Sequence, residues 1–146
     1  MKIFTIGFTH KRAQDFFNLI KSNGIQCLVD IRLNPSGQLS GFAKQEDLPY
    51  FLDHLANGCK YTYIPLLAPT KQILEKYRTD GDWSQYVIHF ESLMNERNIP
   101  DNLNQDEFEK TTSCLLCSES TPEKCHRRLV AERIQIKWSG VEIVHL

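Results

Sequence analysis

The chain has 146 residues, with Lys+Arg 17 against Asp+Glu 18 for a formal charge of −1, and it is 41% hydrophobic and 24% charged. That length suits one domain over residues 1–146 with a core of its own, and the balance excludes disorder, collagen-like repeats and a disulfide-dominated mini-protein. A near-neutral chain is no general polyanion binder, so any nucleic-acid surface has to be a local patch.

Lys2–Gly7 is a short apolar run ending in glycine and reads as a first strand. The following Thr9–Arg12 is polar, so the run is too short for the core of an export signal. No later run approaches the roughly 18 apolar residues needed to span a bilayer. The expectation is a cytoplasmic protein with no membrane partner, whose five cysteines are mostly reduced. Arg12–Asn23 places Ala13, Phe16, Phe17 and Ile20 at helical spacing, with Gly24 as the stop. Gln26–Ile31 is nearly continuous in apolar residues, as a strand buried on both faces would be. Asn34–Gly37 opens a polar loop, and Leu48, Phe51, Leu52 and Leu55 then mark a helix closed by Gly58.

Lys60–Leu66 reads as a third strand, with helical stretches near Lys71–Tyr77 and Trp83–Glu96 after it. Trp83, Tyr86, Val87, Phe90 and Met94 share one face and read as core rather than as a stacking platform. Ile99–Lys110 is polar and acidic and reads as a surface connection, and Ser113–Cys117 as a compact strand. Ser120 and Glu123 form a capping box with Pro122 in the first turn, predicting a helix from there to about Ser139. Val141–Leu146 is the last strand. The alternation predicts an α/β fold: a single-domain, mostly parallel open sheet of about five strands with helices on both faces, in Rossmann-like or flavodoxin-like layering.

Such sheets bind ligands beyond the carboxyl ends of their strands. Thr9 and His10 follow the first strand, Asp30 and Arg32 end the second, and Cys117 and Glu119 follow the fourth. The next helix then brings Cys125, His126, Arg127 and Arg128. A thiol near a helix start and beside cations favours the thiolate, which suits Cys117 or Cys125 to nucleophilic chemistry. Arg127, with the amides of that helix start, suits anion binding; Arg128 reads as a surface residue paired with Glu132. Asp30 in an apolar strand is either paired with Arg32 or works as an acid, a base or an orienting group for His126.

Cys114, Cys117, Cys125 and His126 have the donor types of a zinc site. Their spacing does not favour one, because Cys114 and Cys117 point to opposite faces of a strand and adjacent Cys125 and His126 diverge on a helix. Cys114-x-x-Cys117 also sits too early for a redox pair opening a helix, and Cys27, Cys59 and Cys114 read as packing. His54, His89 and His145 carry no motif.

Thr5-Ile6-Gly7, Leu28–Arg32 with Pro35 after it, and Leu115–Glu119 followed by Pro122 and Cys125-His126-Arg127 together resemble the domain of unknown function 488 family, over nearly the whole chain. The resemblance implies a small α/β domain of a bacterial or archaeal cytosol. It makes Thr5, Gly7, Asp30, Arg32, Pro35, Cys117, Glu119, Cys125, His126 and Arg127 the matching positions, and it leaves the reaction open. The combined expectation is an enzyme acting on an anionic, phosphate-bearing or nucleic-acid-derived substrate. Cys117 or Cys125 would supply the thiol, Asp30, Glu119 and His126 acid and base, and Arg32 and Arg127 the anion site, with Thr5, Thr9 and His10 as further candidates. The alternatives are a non-catalytic nucleotide- or nucleic-acid-binding module using Lys124–Arg128, and a structural domain stabilised by cysteines or zinc. No cofactor follows from the sequence.

Overall fold

The computed structural model describes every residue from Met1 to Leu146. Its elements in chain order are β1 (Lys2–Gly7), α1 (Ala13–Ser22), β2 (Cys27–Asp30), α2 (Leu48–Leu55), β3 (Lys60–Tyr63), α3 (Lys71–Asp80), α4 (Trp83–Glu96), α5 (Gln105–Lys110), β4 (Ser113–Cys117), α6 (His126–Lys137) and β5 (Glu142–His145). Short 3₁₀ turns cover Gln38–Ala43 and Pro65–Leu67. All strand pairings are parallel, in the order β3-β2-β4-β1-β5. The sheet is α/β as the alternation predicts. No helix is long and apolar enough to cross a membrane.

Alternation along the strands divides the core in two. Leu28, Phe4, Ile6, Cys114 and Leu116 face α1 and α2, where Phe16, Phe17, Ile20, Leu48 and Leu52 cover them. Ile3, Val29 and Leu115 face the other way, under Tyr86, Phe90 and Met94 of α4 and Leu129, Val130 and Ile134 of α6. The connection from β2 runs to β3 on the first face, and the connection from β4 runs to β5 on the second. The carboxyl ends of the neighbouring strands β2 and β4 therefore form a topological switch point, where connections diverge and leave a crevice.

Three boundaries differ from expectation. β3 stops at Tyr63 rather than Leu66, because Pro65 has no N–H to give the ladder and turns the chain. Ile99–Lys110 is not a bare connection. Its apolar residues Ile99 and Phe108 are buried, and α5 starts where Asn104 Oδ1 accepts from Glu107 N at 3.4 Å. The last helix begins at His126, not near Ser120, and the expected capping box does not form; Cys125 is its extended N-cap residue.

Candidate functional site

A cleft of about 660 Å³ opens at the β2/β4 switch point. Arg32 lies on its floor from the β2 side, with Cys117, Cys125 and His126 from the β4 side, and the Gln38–Ala43 turn and α3 and α4 form its walls. Strand pairing sets this convergence: Asp30 lies opposite Leu116, and Cys117 opposite Gly7.

Cys117 Sγ is 3.5 Å from His126 Nδ1, while His126 Nε2 is 2.8 Å from the Ile31 carbonyl oxygen. A carbonyl only accepts, so Nε2 carries the imidazole proton and Nδ1 offers its lone pair to the thiol. The orienting partner of His126 is thus a backbone group on the extension of β2 rather than a carboxylate. Burial opposes charge on Cys117, but a hydrogen bond from Cys125, the backbone N–H groups of Glu119 and Ser118 and the Arg127 charge outweigh it. The Cys117 thiol is held below the usual cysteine range. Cys125 moves the opposite way, pushed well up first by its hydrogen bond to Cys117 and then by burial. Of the two candidate thiols, Cys117 is the one whose surroundings favour the thiolate, and Cys125 is its proton-bearing neighbour.

The loop from Ser118 to Lys124 is shaped by Arg127, which is fully buried. Its Nη1 donates to the Glu119 carbonyl and, at 3.6 Å, to Cys125 Sγ; Nη2 donates to the Ser120 carbonyl at 3.4 Å. Nε donates to Thr5 Oγ1 at 3.3 Å, and Thr5 Oγ1 is 2.7 Å from His145 Nδ1. Arg127 therefore does not stand at an anion, as its neighbourhood in sequence suggests. Carbonyls of its own loop use its donors, which is also why the capping box loses and the helix starts late. The amides available beside Cys117 belong to this loop, and the helix start lies further along.

Asp30 and Arg32 pair. Arg32 Nε and Nη2 donate to the two Asp30 carboxylate oxygens at 2.9 and 2.6 Å, and the Arg32 backbone N–H adds a bond at 3.1 Å. The Tyr61 hydroxyl donates to Asp30 Oδ2 at 2.7 Å. Both residues are buried. With its oxygens occupied, Asp30 is neither the acid nor the base expected of it and does not reach His126; it orients Arg32. The Arg32 guanidinium lies over the Phe8 ring at 5.4 Å, and Nη1, on the edge away from Asp30, finds no acceptor in the protein. A buried donor without a partner is costly and uncommon, and the residue that carries this one is among those lining the cleft.

Of the remaining candidates, Thr9 borders the cleft, whereas His10 is exposed in a left-handed conformation and is not among the residues lining it. Glu119 borders the cleft with an exposed side chain, and its backbone does the structural work. Thr5 is buried behind Arg127. Cys114 packs on the far face of the sheet, as the spacing requires. Cys125, however, does converge with Cys117 and His126: the ligand atoms of all three lie within 4.8 Å of one another, because the N-cap residue is extended rather than helical. Arg128 pairs with Glu132 at 3.6 Å. Five residues at or behind the cleft are not legible as part of the site in the sequence: Ile31 through its carbonyl, Tyr61, His145, and Tyr77 and Trp83 on the cleft wall.

No curated protein and no solved structure matches the chain. A family model does match, over residues 12–134, which take in Asp30, Arg32, Cys117, Cys125, His126 and Arg127. The chain belongs to the family described as Domain of unknown function DUF488.

Proposed function

We propose that the protein is a thiol-dependent enzyme acting on an anionic, phosphate-bearing substrate in the β2/β4 cleft. The observation that carries the reading is the pairing of Cys117 Sγ with His126 Nδ1 at 3.5 Å, on the same cleft floor as the unpartnered Nη1 of Arg32. Arg32 Nη1 holds the anion, and the Ser118 and Glu119 amides hold Cys117 as thiolate. His126 Nδ1 takes the Cys117 proton, and Sγ bonds to the substrate's electrophilic atom as the bond to the leaving group breaks. The imidazolium returns its proton to the leaving group. Water then displaces the thiolate, passing a proton through His126. Asp30 and Arg127 are positioning residues, the first for Arg32 and the second for the loop beyond Cys117.

Alkylation with iodoacetamide, followed peptide by peptide from pH 5 to 9, tests this. Thiolate reacts and thiol does not, so a lowered value moves the half-maximal rate for Cys117 below the ordinary cysteine midpoint of about 8.5. Cys59, pushed up to about 12 by burial, and Cys114 and Cys125, also pushed up, stay slow. His126→Ala removes the proton acceptor at 3.5 Å and lowers Cys117 labelling at pH 7. Slow labelling of Cys117 throughout would end the thiol reading.

A second reading rests on the three converging ligand atoms: Cys117, Cys125 and His126 Nδ1 could hold zinc, with Nε2 steadied by the Ile31 carbonyl and a fourth position open to the cleft. That reading expects about one zinc per chain by elemental analysis, and Cys117 and Cys125 alkylated only after chelation.

A further inference from the structure

We infer that the anion is carried on a planar ring, which Trp83 and Tyr77 hold at one end of the cleft while Arg32 holds the phosphate at the other. This deepens the anionic-substrate reading and rests on it. A line of rings runs from the cleft wall through the core to His126. Trp83 stacks on Tyr86 at 4.9 Å and 13°, Tyr86 on Phe90 at 5.9 Å and 7°, and Phe90 meets His126 at 5.7 Å. Tyr77 meets Trp83 edge-on at 5.6 Å and 65°.

The line divides into two kinds of residue. Tyr86 and Phe90 are buried and hold α4 to the core, as helical spacing predicts. Trp83 and Tyr77 are half-buried: they pack against the same core and also border the cleft, so Trp83 is not the simple core its spacing suggests. The helix supplying Tyr77 is unusual as well. None of the ten residues of α3 is buried, and its Leu74 and Tyr77 lie along the cleft only half-covered. Helices normally bury an apolar stripe. Aromatic side chains gain most from covering a second flat apolar surface, and a planar ring stacked there costs little order. Inorganic phosphate or a small aliphatic phosphate would use Arg32 and leave this wall uncovered. The cleft volume lies within the range of small-molecule sites. The ligand chemistry is therefore a phosphate monoester on a planar ring, whether an aryl phosphate or a nucleoside monophosphate.

Isothermal titration of the full chain carrying Cys117→Ser, which blocks turnover, tests this with inorganic phosphate, glycerol phosphate, phenyl phosphate and adenosine monophosphate. The two ring-bearing esters are expected to bind at least tenfold tighter than glycerol phosphate, the size of one stacked ring. Trp83→Ala removes most of that advantage while glycerol phosphate binding stays the same; Tyr77→Ala serves if circular dichroism finds the first variant unfolded. Tighter binding of adenosine monophosphate than of phenyl phosphate marks a nucleotide source, and the reverse marks a short aryl ester. Equal binding of all phosphate esters overturns the ring inference and leaves the anion site standing. Failure of all four to bind removes the anion site and the ring inference together.

Discussion

Asp30→Ala is expected to cost about 3–5 kcal/mol of stability, the usual effect of leaving one partner of a buried ion pair uncompensated. For a domain of this size that lowers Tm by roughly 6–20 °C. The change removes both charge-assisted bonds to Arg32, the acceptor of the Arg32 backbone N–H and the acceptor of the Tyr61 hydroxyl, all around a carboxylate with no exposed surface. The combination Asp30→Ala with Arg32→Met separates stability from ligand binding. It takes both charges out of the interior together and is expected to recover most of the lost stability. It is also expected to lose protection of Cys117 by inorganic phosphate, because Arg32 Nη1 is gone. Thermal unfolding of the two variants, with phosphate protection of Cys117, is the measurement. A single variant that melts with the parent would mean that Arg32 is not held by Asp30. A double variant that still shows protection would move the anion site elsewhere.

The sequence goes far toward this arrangement where one element settles a residue's surroundings. β4 is read from its own five residues with the bounds it has in the structure, Ser113–Cys117, and its alternation correctly sends Cys114 to the far face. Asp30 and Arg32, two apart on one stretch, are legible as a pair, and so is Arg128 with Glu132 one helical turn on. Tertiary contacts decide the rest. The Ser120–Glu123 capping box is a sound local signal, but Arg127 binds the carbonyls of Glu119 and Ser120 and holds that stretch in a loop. With the helix start displaced, Cys125 becomes extended and its thiol meets Cys117 and His126, which a helical reading forbids. The Ile31 carbonyl that orients His126 lies 95 positions away, and Tyr61 reaches Asp30 from a neighbouring strand. Neither has a sequence signature, because each contact joins segments that are far apart in the chain. Trp83 and Tyr77 have helical spacing whether they face core or cleft, and only the placement of α3 separates the two.

Arg127 and Asp30 illustrate the same physical rule from opposite sides of the cleft. Each is a fully buried charge, and burial of a charge is tolerated only with its bonds made. Arg127 makes them to backbone carbonyls, so it fixes the loop whose amides face Cys117. Asp30 makes them to Arg32 and Tyr61, so it fixes a guanidinium with one edge left over. In the proposed reading, the groups left to meet a substrate are Cys117, its partner His126 and Arg32 Nη1.

Gly7→Ala is the second change with a large expected effect, about 3 kcal/mol, at the upper end for overpacking a filled interior. Gly7 ends β1 beside Cys117, and its missing side chain is what lets the following loop lie against the sheet. A Cβ there would run into the Glu119 carbonyl, 2.6 Å from its carbon and 2.8 Å from Arg127 Nη1. These are backbone and a tethered guanidinium, so neither can give way without moving the loop. The consequence reaches the chemistry. Displacing Glu119 withdraws an amide from Cys117 and loosens the Arg127 charge near it, two of the contributions that hold the thiol down. The half-maximal pH for Cys117 alkylation is therefore expected to rise toward that of an ordinary thiol as stability falls. Gly24→Ala is the control: its φ of +64° penalises any side chain, but no atom lies within 4 Å of the added Cβ. It should cost only the 1–2 kcal/mol of a left-handed alanine and leave the Cys117 profile untouched. If Gly7→Ala lost stability as Gly24→Ala does, with no change in the Cys117 profile, the thiol's environment would not depend on the loop packed at Gly7. If the profile moves with Gly7 alone, the close approach of β1 to the Glu119 carbonyl is part of what activates the thiol.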